Sequence, residues 1–83
     1  MYGIVYILEV AAKTETVNRV RRIRRMMEFT QAELADSVGV SRQTIVSIEG
    51  GDYAPSVYLA LRIAETLGTT VENLFAIPKE TNQ

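Results

Sequence analysis

Two patterns of apolar residues divide the chain. From Tyr2 to Val10 they run together, rich in Ile, Val and Tyr with Gly3 near the start. That composition favours an extended strand over a helix. Further on they recur three and four positions apart, the spacing that gathers them on one face of a helix. Val20, Ile23 and Met27 make the first such stripe and predict a helix over residues 17–28, capped by Thr14 or Thr16. Arg21, Arg22 and Arg25 lie off that stripe, and Phe29 follows as an anchor between helices. Ala32, Leu34, Ala35 and Val38 form the second stripe. Thr30 opens this helix, and Glu33 three residues on completes a capping box. Gly39 supplies the positive φ of a sharp helix-ending turn, and Val40 fills the space behind it.

The third helix starts after Ser41 and turns Ile45 and Ile48 inward. Gly50, Gly51 and Asp52 end it, and a loop runs through Tyr53 and Ala54 to Pro55. Ser56 caps a fourth helix with Leu59, Ala60, Ile63, Ala64 and Leu67 on its apolar face, and Gly68 follows as its C′ residue. Thr70 caps a short fifth helix carrying Val71, Leu74 and Phe75, which Ile77 and Pro78 stop. The expected fold is therefore all-α, with five helices and a strand-like N-terminal extension. Its parts are the extension at residues 1–16, a helical domain at 17–78 and a polar tail at 79–83. A lone strand has no partner in a helical chain. Its nearest candidate is a second copy of itself, with Ile4, Tyr6 and Leu8 as contacts across a dimer.

Composition removes several functions. At 83 residues the chain is one small domain, and its 47% apolar content suffices for a core. It has no cysteine and no histidine, which excludes disulfides, the usual zinc sites and a histidine pH switch. No nucleophile stands with a base, and no glycine-rich phosphate loop follows a strand, so neither an enzyme nor a cofactor is expected. The apolar start is too short to span a bilayer and lacks the features of a secretion signal, which points to a cytoplasmic protein without a membrane partner. Net charge is −1, an uncharacteristic balance for a nucleic-acid binder. Its distribution matters more: Arg19, Arg21, Arg22, Arg24 and Arg25 stand together, while most acids come later. One end of the molecule can thus be positive.

Two short helices joined at Gly39, the second with Arg42, Gln43, Val46 and Ser47 outside, have the layout of a helix-turn-helix. Such a second helix enters the major groove of double-stranded DNA. There Gln43 can bond bidentately to adenine, and Arg42 to guanine or a phosphate. Ser47 lies one turn on, and Val46 or the Thr44 methyl can meet a thymine methyl.

The run TQAELADSVGVSRQTIVSIEGG, followed by YAPSVYLALRIAETLGTTVENLF, resembles the Xre family of helix-turn-helix regulators, relatives of the phage lambda-type repressors and Cro. NRVRRIRR resembles the family's first helix. The likeness covers about residues 18–77 without a gap and leaves residues 1–16 outside. It implies a five-helix domain that binds operator DNA as a homodimer, here as a repressor. By position it implies base contacts at Arg42, Gln43, Ser47 and Thr44. Phosphate contacts fall to Thr30, Gln31 and the loop at Tyr53, with Arg22 and Arg25 added from the charge run. It further implies an internal ion pair between Arg24 and Glu49. Dimerisation in lambda-type relatives points to Val71, Leu74, Phe75 and Ile77. Where the family commonly carries Asn-Gly after the glutamate, this chain has Gly50-Gly51, which removes one side-chain phosphate contact. The rival from another class is an antitoxin-like or adaptor protein whose main partner is another protein.

Overall fold

The structure is a computed structural model and describes residues 17–77. In chain order its elements are β1 (Val17–Asn18), α1 (Val20–Met26), α2 (Gln31–Val38), α3 (Arg42–Glu49), α4 (Val57–Thr66), α5 (Val71–Leu74) and β2 (Phe75–Ala76). The extension at 1–16, with Ile4, Tyr6 and Leu8, lies outside the described residues, as does the tail at 79–83.

Local chemistry sets most helix starts. Thr30 Oγ1 accepts from the Glu33 amide at 3.0 Å, while the Thr30 amide donates to Glu33 Oε1 at 2.9 Å. This reciprocal box satisfies two donors that the first turn of α2 leaves unpaired. Ser41, Ser56 and Thr70 cap α3, α4 and α5 in the simpler way, each side chain accepting from the amide three residues on. α2 ends on Gly39 at φ 81°, in the left-handed region. A Cβ there would meet nothing within 4 Å, so the position demands glycine for its backbone angle and not for room.

The N-terminal end departs from expectation. α1 begins at Val20, not at residue 17. Val17 and Asn18 are extended and pair antiparallel with Ala76 and Phe75. Thr14 and Thr16, the expected caps, lie outside the described residues; within them, Asn18 Oδ1 accepts from the Val20 amide at 3.1 Å. The other end of the same side chain donates from Nδ2 to the Ile48 carbonyl at 2.7 Å. Phe75, expected in the fifth helix, is extended and belongs to β2. The cause is long-range: the pairing joins the two ends of the described chain, and no local pattern announces it.

The core gathers Val20, Leu34, Ala35, Val38, Ile45, Ile48, Leu59, Ile63, Ala64, Leu67 and Leu74, with Ile23, Phe29, Val40, Val71 and Phe75 packed against it. Two expected core residues lie outside it. Met27 is half exposed, because α1 stops at Met26, and Ala32 faces solvent. Leu74, expected at a dimer contact, is fully buried in the chain's own core. Its burial removes it from the surface open to a second copy. Arg62 Nε reaches back from α4 to the Val38 carbonyl at 3.2 Å, satisfying an acceptor that the end of α2 leaves free.

Candidate nucleic-acid interface

α3 is pinned from beneath and open on its outer side. Ile45 and Ile48 are fully buried, which fixes the rotation of the helix about its axis. Arg42 and Gln43 then face solvent in its first turn, and Ser47 lies half-buried one turn later. With the other described residues, these three side chains form no hydrogen bond, so their donors and acceptors are available to a ligand. Thr44 differs. Its hydroxyl stands 3.0 Å from Ser41 Oγ, so part of its bonding capacity serves the N-cap.

The far end of α3 is fixed by Glu49, whose side chain is wholly out of solvent. Arg24 of α1 donates to it through Nε at 2.6 Å and Nη2 at 3.2 Å. Gln31, the first residue of α2, donates from Nε2 at 3.1 Å. Arg21 approaches at 3.5 Å with its own side chain 54% exposed. One carboxylate therefore joins α1, α2 and α3. Burial by itself pushes the Glu49 carboxyl up, but the Arg24 hydrogen bonds, the Gln31 bond, the Arg24 charge and Arg21 together outweigh it, and the carboxyl sits below its ordinary range. Arg24 is satisfied on its other side as well, with Nη1 donating to the Phe29 carbonyl at 2.8 Å.

Around this node the expected phosphate contacts assemble. A hollow of about 410 Å³ is lined by Arg21, Arg24, Arg25, Phe29, Thr30 and Gln31. Beside it a second, of about 480 Å³, is lined by Asn18, Arg21, Arg22, Arg25 and Glu49. Arg22, Arg25 and Thr30 are exposed and Gln31 is half-buried. These groups share one side of the molecule, with the N-terminus of α2 among them, where unpaired amides and the helix dipole favour an anion. Tyr53 is not part of this cluster. It stands in the loop after α3 and lines an apolar groove with Ala54 and Pro55.

Sequence reasoning missed three residues here. Arg21 sits three positions before Arg24, a helical spacing that could have marked it as a second donor to Glu49. Asn18, two residues before an apolar stripe, carried a capping signal. Arg62 offered none, since its acceptor belongs to another helix. Among the described residues no cluster of acids suits a metal ion, and no helix is long and apolar enough to cross a membrane.

The arrangement defines a DNA-binding helix-turn-helix domain, and sequence comparison places it in a family. The helix-turn-helix family HTH_3 matches residues 20–74. The chain belongs to this family, that of the Xre and lambda-type regulators. It is 40% identical over 63 residues to the uncharacterised HTH-type transcriptional regulator YgzD of Bacillus subtilis, covering 76% of this chain and 96% of that protein. It is 45% identical over 58 residues to the uncharacterised HTH-type transcriptional regulator MJ0272 of Methanocaldococcus jannaschii, covering 70% and 88%. In structure it matches the DNA-binding domain of the P22 C2 repressor with a TM-score of 0.65 at 28% identity, over 68% of this chain and 74% of that one. The family and these sequence relatives are helix-turn-helix transcriptional regulators.

Proposed function

We propose that the chain is a sequence-specific transcriptional repressor that acts in the cytoplasm as a homodimer on a pseudo-palindromic operator. The observation that carries this reading is the outer face of α3. Arg42 and Gln43 are exposed and unengaged in the first turn of a helix whose rotation and far end are both fixed. Recognition helices present this turn to base edges. In this reading Gln43 and Arg42 read bases in the major groove and Ser47 adds a contact one turn on. Thr44 contributes its methyl, since its hydroxyl is engaged. Thr30, Gln31, Arg22 and Arg25 grip phosphates on the adjoining side, and Tyr53 does so from the loop. Two copies place their α3 helices about one DNA turn apart, roughly 34–36 Å. Repression then follows from occupying a promoter.

Selection from a random DNA library, followed by electrophoretic titration at two salt concentrations, tests the proposal. The expected result is a consensus with twofold symmetry and binding that weakens steeply with salt. A second reading, a module whose main partner is another protein, draws on the apolar side chains that α4 leaves in solvent. Retention without any sequence preference would favour it.

A further inference from the structure

The repressor reading leaves two apolar stretches of the chain unused. One is a groove of about 440 Å³ that Tyr53, Val57 and Ile77 line, with Ala60, Val71 and Phe75 among its other walls. No charged side chain lines it. Tyr53, Val57 and Ile77 are each about half exposed or more, so apolar surface faces water there, and such patches mark interaction sites. The other is Tyr2–Val10, in which seven of nine residues are apolar and Glu9 carries the one charge. Its composition gives it the same tendency to leave water. It also lies outside residues 20–74, the part of the chain that the family accounts for.

We propose that Tyr2–Val10 docks in this groove of its own chain, as a strap across the face beside the start of α4. Three observations select that occupant. The first is where the chain enters the described fold. β1 pairs Val17 with Ala76, and Asn18 and Ala76 both line the groove. The second is the tether. Six residues, 11–16, separate Val10 from Val17, and at about 3.3–3.6 Å per residue they reach about 20 Å. A segment held on so short a tether has an effective concentration on the order of millimolar. A separate molecule at micromolar concentration is outcompeted by it. The third is chemistry. A groove without charge gives no preference to an acidic or a basic partner, and it accepts apolar side chains. In an extended segment Ile4, Tyr6, Leu8 and Val10 share one face, which supplies an apolar row to fill it.

The strap has a consequence for assembly. Val71, Phe75 and Ile77, which the family resemblance points to as dimer contacts, all line the groove. A second copy must displace the strap to reach them. The strap therefore lowers the affinity of one copy for another, and with it the occupancy of a site with two half-sites. This consequence rests on the homodimeric reading above, whereas the docking does not.

The chain has no cysteine, so an introduced pair reports proximity without background. The whole chain carrying L8C/V57C is treated at low micromolar concentration with a short bismaleimide. L8C/M26C, on an exposed side chain of α1 outside the groove, is the control. Products are sized on denaturing gels and by mass spectrometry. The expected product for L8C/V57C is a link within one chain, at least tenfold above the control. A link between two chains would overturn the proposal and seat the segment on a second copy. Linking no higher than the control would also overturn it and leave the groove to a different protein. The uncharged variant Y6S/L8S then releases the strap in the whole chain. Analytical ultracentrifugation should show its dimer at least tenfold tighter than the parent's, with helical circular dichroism unchanged. A dimer that Y6S/L8S weakens or leaves unchanged would overturn the strap's control of pairing. A monomer in parent and variant alike, with the link within one chain formed, would instead refute the homodimeric reading and leave the docking standing.

Discussion

Replacing Glu49 with glutamine removes one charge and almost no volume, and its cost should be large. Arg24 is only 8% exposed at its side chain and points two donors at the carboxylate. Glutamine keeps one acceptor oxygen but turns an amide donor toward the guanidinium or toward Gln31. The buried arginine is then left without a counter-charge. Breaking one side of a buried pair in this way costs about 3–5 kcal/mol. Arg21 hardly changes the sum, because a half-exposed ion pair is worth about 0–1 kcal/mol. A domain this small has a total stability of about 5–10 kcal/mol and loses about 4–8 °C of Tm per kcal/mol. E49Q should therefore melt at least 12 °C or so below the parent. The pH dependence supplies a second check. Since the folded state holds the Glu49 carboxyl below its ordinary value near 4.5, its ionised form stabilises the fold. That contribution is complete above about pH 4.5 and is lost as pH falls through the lowered folded value. Thermal melts by circular dichroism between pH 7 and pH 3 should show the gap between parent and E49Q narrowing on the acid side. A Tm within 2 °C or so of the parent at pH 7, or a gap that stays constant into acid, would refute the reasoning. The double variant R24M/E49L, which exchanges the pair for apolar bulk, should recover much of the loss.

Other predictions concern single residues. Q43A should relax preference at one base position by about 1–3 kcal/mol, measured by titrating every single-base variant of the selected site; equal loss on all sequences would remove Gln43 from base reading. R25A should weaken all sequences alike and lower the slope of log K against log salt by about 1. Glu28 is the single non-glycine residue at positive φ among the described residues, at 63° just past the end of α1; E28G should relieve that strain and raise stability by about 0.5–1 kcal/mol in urea denaturation. N18A frees the Val20 amide and the Ile48 carbonyl at once, and the same denaturation should read a loss of about 1–3 kcal/mol.

The caps of α2, α3, α4 and α5, and the turn at Gly39, were legible from residues three or four apart. A cap is a bond between near neighbours, so the chain announces it without knowing its fold. The same holds for the outer face of α3, since Ile45 and Ile48 fix which side is in and hence place Arg42 and Gln43 out. Charge did not announce itself so well. The sequence shows five arginines in a row of seven positions, but burial sorts them: Arg24 goes inside, Arg21 leans on Glu49, and Arg22 and Arg25 remain in solvent.

By itself, then, the sequence determined a five-helix domain, its helix-turn-helix and the side chains that helix presents. The tertiary structure alone decided that Val17–Asn18 is strand, that Leu74 is core and that Tyr53, Val57 and Ile77 line one groove. Helix periodicity and caps are short-range and recur in any context. Pairing Asn18 with Phe75, or aiming Gln31 and Arg21 at one carboxylate, depends on how distant segments meet, and that energy is written in no single stretch of the chain.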